Sequence, residues 1–315
     1  MNHRTLRSFL VTGAVATCIT TGATVAFADT ASSAAPMTHS SSRSAAQSGG
    51  DYDYYLALGD SLAWGTQPNS SGTDVKSGHG YADDLAAYLR GDGSPNLDFV
   101  DLACPGETTG TMLNGGCSDL STSGQSYTVQ ETAAVAFLRA HPNARILVTL
   151  DIGANNVDDC TDGLTLDVSC VQQGTDTEAT QLPEILAGLK AAAGTQVRFV
   201  GMNLYNPFLA GWLLGAGGQT LAWNSAELSV VFNQTVDKAF AAADVPVADV
   251  SDAFESTDFT DTATVYGETV PVNVANICNW TWVCATATSA TGPDIHANDT
   301  GYAVIADTFE AQINP

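Results

Sequence analysis

Positive charge is scarce in this 315-residue sequence, which has 10 Lys and Arg against 34 Asp and Glu and a formal net charge of −24. A surface of that sign repels nucleic acid and anionic membrane, so no nucleic-acid partner is expected. Beyond the N-terminal stretch there is also no apolar run long enough to span a bilayer, which argues against stable membrane insertion. The hydrophobic content of 44% still supports a full-sized core.

The first 28 residues have the pattern of a secretory signal peptide. A basic start with Arg4 and Arg7 precedes an apolar stretch from Phe9 to Val25, and Ala26-Phe27-Ala28 is a small-residue cleavage site. An uncleaved membrane anchor is the alternative, but several threonines dilute the apolar stretch. We therefore predict a secreted, extracellular protein with a Ser/Ala-rich flexible linker over residues 29–50 and a folded domain over residues 51–315.

No C-x-x-C pair occurs in the sequence, which speaks against a zinc site. Apart from Cys18 in the predicted signal, there are six cysteines, and an even number in an exported chain indicates disulfides. Sequence alone does not select among the possible pairings. Because the six fall into three close pairs along the chain, we expect each pair to close a local loop: Cys104 with Cys117, Cys160 with Cys170, and Cys278 with Cys284.

From residue 51 onward, short apolar runs alternate with amphipathic stretches, without a composition break or an internal repeat. Strands are predicted over Tyr54–Leu58, Leu97–Ala103, Ile146–Asp151, Val197–Met202 and Pro246–Val250. Helices are predicted near Tyr81–Leu89, Val129–Arg139, Ala179–Ala193, Ala226–Ala242 and Gly301–Ile313. This alternation predicts one α/β domain with a mainly parallel sheet covered on both faces.

Polar segments follow the first three predicted strands and precede the last helix. They are Gly59-Asp60-Ser61-Leu62, Cys104-Pro105-Gly106-Glu107-Thr108-Thr109, Gly153-Ala154-Asn155-Asn156 and Asp294-Ile295-His296. In a parallel sheet the segments after the strands meet at one edge, where ligands bind. The G-x-S-x-G motif that an α/β-hydrolase needs is absent.

These four segments, in this order, resemble the SGNH (also called GDSL) family of serine hydrolases, and the resemblance covers residues 51–315. Residues 104–108 and 276–284 are more specifically similar to secreted bacterial lipases and esterases, of actinobacterial type, within that family. The resemblance implies a three-layer α/β/α sandwich around a central, mainly parallel five-stranded sheet of flavodoxin-like type.

The resemblance also assigns roles to particular residues. It implies Ser61 as the nucleophile, His296 as the general base and Asp294 as the acid that orients the histidine. The Ser61 N–H, the Gly106 N–H and the Asn155 side-chain amide are then the oxyanion hole. The chemistry agrees, since serine needs a base, a histidine needs an orienting acid, and glycine lets a backbone amide approach the reacting atom.

Each of these residues also has a purely structural explanation. Ser61 could cap a helix, His296 could lie in a surface turn, and Gly106 and Asn155 could simply shape loops. The family usually has aspartate where this chain has Asn156, so we expect altered local hydrogen bonding rather than lost catalysis. A calcium site at the nearby aspartates 158, 159 and 162 would need an EF-hand pattern, which is absent, and no metal is expected.

An apolar, aromatic and glycine-containing segment, Asn203–Trp223, follows the fourth predicted strand. It is interpreted either as a groove for an acyl chain or as a lid over the core. With the aromatic loop Asn276–Cys284 as a second wall, the candidate substrate contacts are Phe208, Trp212, Trp280 and Trp282.

The sequence therefore predicts a secreted, monomeric esterase or lipase that acts on a small-molecule or lipid ester without a cofactor. A phospholipase or a carbohydrate acetylesterase would use the same triad, and a non-catalytic binding protein on this scaffold is the remaining alternative.

Overall fold

The computed structural model describes residues 51–121, 123–285 and 293–314, so the predicted signal peptide and linker lie outside the described residues. Within these ranges, no helix is long and apolar enough to cross a membrane.

Five parallel strands form the central sheet: β1 (Tyr54–Gly59), β2 (Asp98–Asp101), β3 (Ile146–Asp151), β4 (Val197–Met202) and β5 (Val247–Ala248). Their order across the sheet is β2-β1-β3-β4-β5, and all neighbouring pairs run parallel. The predicted architecture is confirmed. The chain reverses its direction of travel across the sheet between β1 and β3, and such a switch point is where open α/β sheets bind ligands.

The central strands are apolar on both faces because helices cover both sides of the sheet. Every residue of β3 is buried, as is every residue of β1 after Tyr54. The prediction placed β3 and β4 correctly, whereas β2 and β5 are shorter than the predicted Leu97–Ala103 and Pro246–Val250. Both are edge strands, so each pairs on one side only.

Nine α-helices surround the sheet in the described ranges. They are α1 (Ser61–Trp64), α2 (Tyr81–Gly91), α3 (Thr109–Asn114), α4 (Gln130–Ala140), α5 (Val168–Ala192), α6 (Ala216–Ala242), α7 (Val250–Ala253), α8 (Val272–Trp280) and α9 (Asp299–Ile313). Helix α5 packs between α4 and α6, and α2 packs against α9, where Tyr81 stacks on Phe309 at 4.8 Å. All five predicted helices are present.

Helices α5 and α6 begin a few turns before the predicted starts at Ala179 and Ala226. The Asp167 carboxylate caps α5 by accepting the N–H groups of Ser169 and Cys170. Apart from Val171, the first turns of α5 bury small or polar residues, Gly174, Thr175 and Glu178, so the sequence there lacks a helical hydrophobic period.

Shorter elements connect the layers. Three two-stranded antiparallel hairpins pair Thr66–Pro68 with Asp74–Lys76, Thr161–Asp162 with Thr165–Leu166, and Thr262–Val265 with Glu268–Pro271. The three predicted disulfides are present, Cys104–Cys117, Cys160–Cys170 and Cys278–Cys284.

The predicted aromatic loop over Asn276–Cys284 is wrong in its first half, because residues up to Trp280 belong to α8. This helix buries Val274, Ile277 and Cys278. Their apolar spacing is helical, but the two tryptophans that follow and the cysteine pair suggested a loop.

Candidate active site

Ser61 is the first residue of α1, directly beyond the carboxyl end of β1. The turn between them depends on Gly59, whose φ is +138° and where an added Cβ would lie 2.0 Å from the Asp151 carbonyl oxygen. Only glycine fits there. Asp60 then caps α1, since its Oδ1 accepts the Leu62 N–H at 2.9 Å. The local sequence thus holds a serine at the start of a short helix, at the carboxyl ends of the parallel strands.

The side chain of Gln130, at the start of α4, ties two segments of the site together. It accepts the Gly59 N–H at 2.8 Å and donates to the Gly59 carbonyl at 2.9 Å. It also donates to Glu107 Oε2 at 2.9 Å. Sequence reasoning missed Gln130, because a glutamine in the first turn of a helix has no local pattern that indicates such a role.

Asn155 follows β3 and joins the segment of Ser61 to that of Gly106. Its Nδ2 donates to the Glu107 carbonyl at 3.0 Å and to Asp60 Oδ2 at 3.3 Å. Gly106 has φ +79°, and an added Cβ would lie 2.4 Å from Ser118 Oγ. The structure therefore brings together the segments that carry the three predicted oxyanion donors.

His296 and Asp294 are hydrogen-bonded, with 2.7 Å between His296 Nδ1 and Asp294 Oδ1. The same oxygen accepts the His296 backbone N–H at 2.8 Å. Burial opposes protonation of the ring, but the hydrogen bond and charge of Asp294, together with the charges of Asp74 and Asp60, outweigh it and raise the pKa of His296. In turn, burial of Asp294 is outweighed by its contacts with His296, which lower the pKa of the carboxyl.

The acid lies only two residues before the histidine, with Ile295 between them. The contact still forms because Asp294 folds back in a turn, with one oxygen on both the backbone and the ring of His296. A second carboxylate, Asp74, comes from the Asp74–Lys76 strand, and ligating atoms of Asp74, Asp294 and His296 lie within 4.8 Å of one another. Nothing in the sequence places Asp74 here.

The loop that carries Asp294 and His296, called the histidine loop below, is held by the segment that follows α8. The Trp282 N–H donates to the His296 carbonyl at 3.0 Å, and the Asp294 N–H donates to the Trp282 carbonyl at 3.2 Å. Thr281 and Ala297 form an isolated antiparallel bridge, and the Cys278–Cys284 disulfide closes this segment. The backbone of the aromatic run thus positions His296.

Ser61 and His296 line one cavity, which encloses about 820 Å³ of empty space, part of it open to solvent. Its walls are mainly apolar and include Leu62, Val157, Leu204, Phe208, Leu228 and Phe232. Within the described residues no hydrogen bond joins the Ser61 hydroxyl to the His296 ring, and such bonds are often long before substrate binds.

The four predicted substrate contacts are not brought together. Phe208 lines the cavity. Trp212 instead packs against Phe259, with ring centroids 5.7 Å apart, and Trp280 meets Phe254 edge to face at 5.1 Å. Trp282 donates its indole N–H to Gln67 Oε1 at 3.1 Å. None of these three tryptophans is among the described residues that line the cavity.

Asn156 connects the segment after β3 to helices α3 and α5 by hydrogen bonds. Its Oδ1 accepts the Thr109 N–H at 3.1 Å, and its Nδ2 donates to Thr109 Oγ1 at 2.8 Å and to Glu178 Oε2 at 2.9 Å. Glu178 is fully buried in α5, and burial, with a contribution from the charge of Asp60, raises its pKa to about 8. An aspartate at position 156 would face this glutamate with a second carboxyl.

Two more carboxyls are buried behind Ser61. Asp60 and Asp151 are fully buried, and the Tyr81 hydroxyl donates to Asp151 Oδ1 at 2.6 Å. Burial raises the pKa of both carboxyls, and the charge of Asp60 raises that of Asp151 further. The site therefore holds an excess of acidic groups around one histidine.

Comparison with known proteins identifies the family. The sequence pattern of the GDSL-like lipase/acylhydrolase family matches residues 57–304. No protein of curated function matches the chain in sequence.

Solved structures with a similar fold include an extracellular lipase from Streptomyces rimosus, with 18% identity, a TM-score of 0.51, and coverage of 82% of this chain and 98% of the lipase. A member of the lipolytic protein G-D-S-L family from Veillonella parvula has 11% identity and a TM-score of 0.42 over 82% of this chain and 96% of its own. An acetyl xylan esterase, AlAXEase, has 11% identity and a TM-score of 0.44 over 82% and 98%.

At 18% identity the similarity to the Streptomyces lipase speaks only to the fold, while the sequence match itself extends over well more than half of the chain. The protein therefore belongs to the GDSL-like lipase/acylhydrolase family.

Proposed function

We propose that this protein is a secreted serine esterase or lipase that hydrolyses carboxylic esters, with fatty acyl esters as its substrates. One observation carries the proposal: Ser61 and His296 line the same apolar cavity, and His296 is held by Asp294 at 2.7 Å. A nucleophile, a base and an orienting acid are the groups that acyl transfer to a serine requires.

In the proposed first step, the Ser61 hydroxyl attacks the ester carbonyl and His296 takes its proton. Asp294 holds Nδ1 of the ring, which leaves Nε2 to act as the base, and its charge stabilises the imidazolium that forms. Because the pKa of His296 is raised, the ring is neutral and competent as a base only towards higher pH.

The negative oxygen that develops would lie among the Ser61 N–H, the Gly106 N–H and the Asn155 amide. As the first residue of α1, Ser61 has an N–H without an intrahelical partner. Asn155 already donates to two acceptors, and the longer contact, 3.3 Å to Asp60 Oδ2, is the one that the oxyanion would replace.

The alcohol then leaves with a proton from His296, which leaves an acyl group on Ser61. In the second half, His296 removes a proton from water, the water attacks the acyl carbonyl, and the free acid is released as Ser61 regains its proton. The proposed reaction needs no cofactor.

The cavity walls support an acyl chain rather than an acetyl group as the bound part of the substrate. Leu204, Phe208 and Phe232 would bury methylene groups of the acyl chain. Each buried methylene group contributes about 0.8 kcal/mol to binding, on transfer from water. Of the segment Asn203–Trp223, residues Leu204 to Phe208 line the cavity, which favours the groove interpretation for that part. The three disulfides support secretion, since such bonds persist in oxidising compartments.

Hydrolysis of p-nitrophenyl esters from acetate to palmitate tests the proposal, with the wild type, Ser61→Ala and Ser229→Ala compared. Ser229 lines the same cavity, but its hydroxyl donates to the Ala226 carbonyl, so Ser229→Ala is a matched control. We expect Ser61→Ala to lose at least about a thousandfold in kcat/KM and Ser229→Ala to stay near the wild type.

The chain-length profile carries the second part of the test. The fatty acyl proposal predicts a maximum at medium or long chains. A maximum at acetate would instead favour an acetylesterase. A folded wild type that hydrolyses none of the series would contradict ester hydrolysis and favour a binding protein.

A further inference from the structure

Asp158 places a carboxyl in the wall of the cavity that Ser61 and His296 share. It begins the 3₁₀ turn Asp158–Cys160, shortly after Asn155, and the Cys160–Cys170 disulfide ties this turn to α5. Its neighbour Asp159 is exposed. The turn therefore directs one of two adjacent aspartates to the cavity.

Asp158 differs from the other polar groups around this cavity. Apart from the proposed catalytic pair, the remaining polar side chains of the wall are hydrogen-bonded within the protein: Asp60, Tyr205, Asn206, Ser225, Ser229 and Asn233. The carboxyl of Asp158 accepts no hydrogen bond from any residue in the described ranges. Apart from the proposed catalytic pair, Asp158 is therefore the described polar side chain of the wall that is free to bind a ligand.

Most of the charged groups around Asp158 are acidic, and His296 is the exception. Asp60, His296 and Asp159 are the charged groups that act on Asp158, and Asp74 and Asp294 lie beside His296. Burial and the charge of Asp60 raise the pKa of Asp158 to about 7, although His296 acts in the opposite direction. No described Lys or Arg lines the cavity.

Aromatic side chains complete the environment of this carboxyl. Tyr205, Phe208 and Phe232 line the same cavity. An aromatic face attracts a cation, most strongly where water is excluded, and quaternary ammonium groups are bound in this way. An unpaired carboxylate in apolar surroundings adds a Coulombic attraction that is stronger than in water.

We propose that Asp158 determines substrate specificity, by making this cavity prefer esters that carry a positive charge, such as a quaternary ammonium group, on the part bound in it. The proposal rests on the proposed ester hydrolysis. The apolar walls bind the chain, the carboxylate of Asp158 pairs with the cation, and a neutral ester of the same shape leaves that carboxylate unpaired.

Pairs of p-nitrophenyl esters test the proposal. In each pair the acyl chain ends either in a trimethylammonium group or in the isosteric tert-butyl group. The chain length is varied from pair to pair, to find the length at which the cation best reaches Asp158. The measured quantity is the ratio of kcat/KM for the charged ester to that for the neutral ester. At pH 8.5 we expect a ratio of about ten or more at the best length in the wild type.

Two variants separate Asp158 from the general acidity of the protein. Asp158→Asn keeps the size of the side chain and removes its charge, so we expect the ratio to fall about tenfold. Asp159→Asn removes an adjacent, exposed charge and should leave the ratio unchanged. An unaltered ratio in Asp158→Asn, or a wild-type ratio near one at every length, overturns the proposal.

The pH dependence of the ratio is a second readout. Protonation of His296 slows the hydrolysis of both esters in a pair equally, because both reactions need the neutral ring. This effect therefore cancels from the ratio. In the wild type the ratio should rise as the pH increases through about 7, where Asp158 ionises, and Asp158→Asn should lack this step.

These outcomes are distinct from failure of the proposed function. If the wild type hydrolyses neither ester, ester hydrolysis itself is wrong. If it hydrolyses the neutral esters without a preference for the charged ones, only the role of Asp158 is wrong.

Discussion

One oxygen of Asp294 contacts His296 twice, at 2.7 Å from the ring Nδ1 and at 2.8 Å from the backbone N–H. The carboxylate therefore fixes both the loop and the ring, and a single substitution should change the orientation of the His296 ring and its pKa together.

Asp294→Asn should lower kcat/KM by roughly a hundred- to ten-thousandfold, because the ring loses its fixed tautomer and the charge that stabilises imidazolium. The contacts with Asp294 raise the pKa of His296 against the effect of burial. Without the charge of Asp294 this pKa falls, so the acid limb of the pH–rate profile should move to lower pH. A limb that stays in place would show that Asp294 does not act on His296.

The Gly106 amide can be tested against a glycine of similar backbone conformation. Gly106 has φ +79° and Gly116 has φ +96°, so alanine at either position should cost about 1–2 kcal/mol of stability. A Cβ at Gly116 would have no atom within 4 Å, whereas a Cβ at Gly106 would lie 2.4 Å from Ser118 Oγ.

We therefore expect Gly106→Ala to lower kcat by about tenfold or more through a displaced amide, and Gly116→Ala to keep its kcat. Thermal unfolding and kcat would be measured for both variants. Equal losses of kcat would mean that Gly106 acts only through stability.

The cavity wall should control which acyl chains are accepted. Leu228 and Phe208 line it, whereas Trp212 packs on Phe259. Leu228→Trp should shift the optimum of a p-nitrophenyl ester series to shorter chains, and Phe208→Ala should lower kcat/KM for long chains more than for acetate. Trp212→Ala should reduce stability, because the partly buried ring packs on Phe259, without changing the chain-length profile. A shifted profile in Trp212→Ala alone would place the acyl chain elsewhere.

Glu178 should make the protein less stable as the pH rises. Its pKa is raised from the ordinary range to about 8 in the folded protein, so the folded state retains a proton that the unfolded chain loses near pH 4.5. Below about pH 4.5 the contribution of Glu178 to the free energy of unfolding is complete. Above that pH it falls by about 1.4 kcal/mol per pH unit, up to about pH 8.

Glu178→Gln can still accept the Asn156 amide and has no proton to lose. Urea unfolding at pH 5 and pH 8 should therefore show a smaller loss of stability in the variant than in the wild type. The same pH dependence in both proteins would contradict a raised pKa for Glu178.

The sequence predicts the sheet well because its strands are buried on both faces and read as continuous apolar runs, as in Ile146–Asp151. It also indicates the positions of Ser61 and Asn155, since both follow such strands directly. The early turns of α5 were missed because the residues buried there are mostly small or polar, so no local period marks them. The helix before Trp280 does have a helical apolar spacing, but the tryptophans and the cysteine pair favoured a loop.

The polar residues that support the site were not predictable for a related reason. Gln130, Asp74 and Glu178 each find their partners far away in the chain, at Gly59, Asp294 and Asn156. No spacing within the sequence encodes such contacts. The tryptophans show the converse, since their aromatic character suggested a substrate wall, whereas the segment of Trp282 holds the histidine loop by its backbone.

The most direct test of the account is covalent labelling with a fluorophosphonate, followed by peptide mapping of the modified residue. A nucleophile that is activated by His296 should react once per chain, at Ser61, with loss of activity in proportion to labelling, and His296→Ala should react far more slowly. Modification at another residue, or ester hydrolysis that persists in a chain fully labelled at Ser61, would contradict the assignment of Ser61 as the nucleophile.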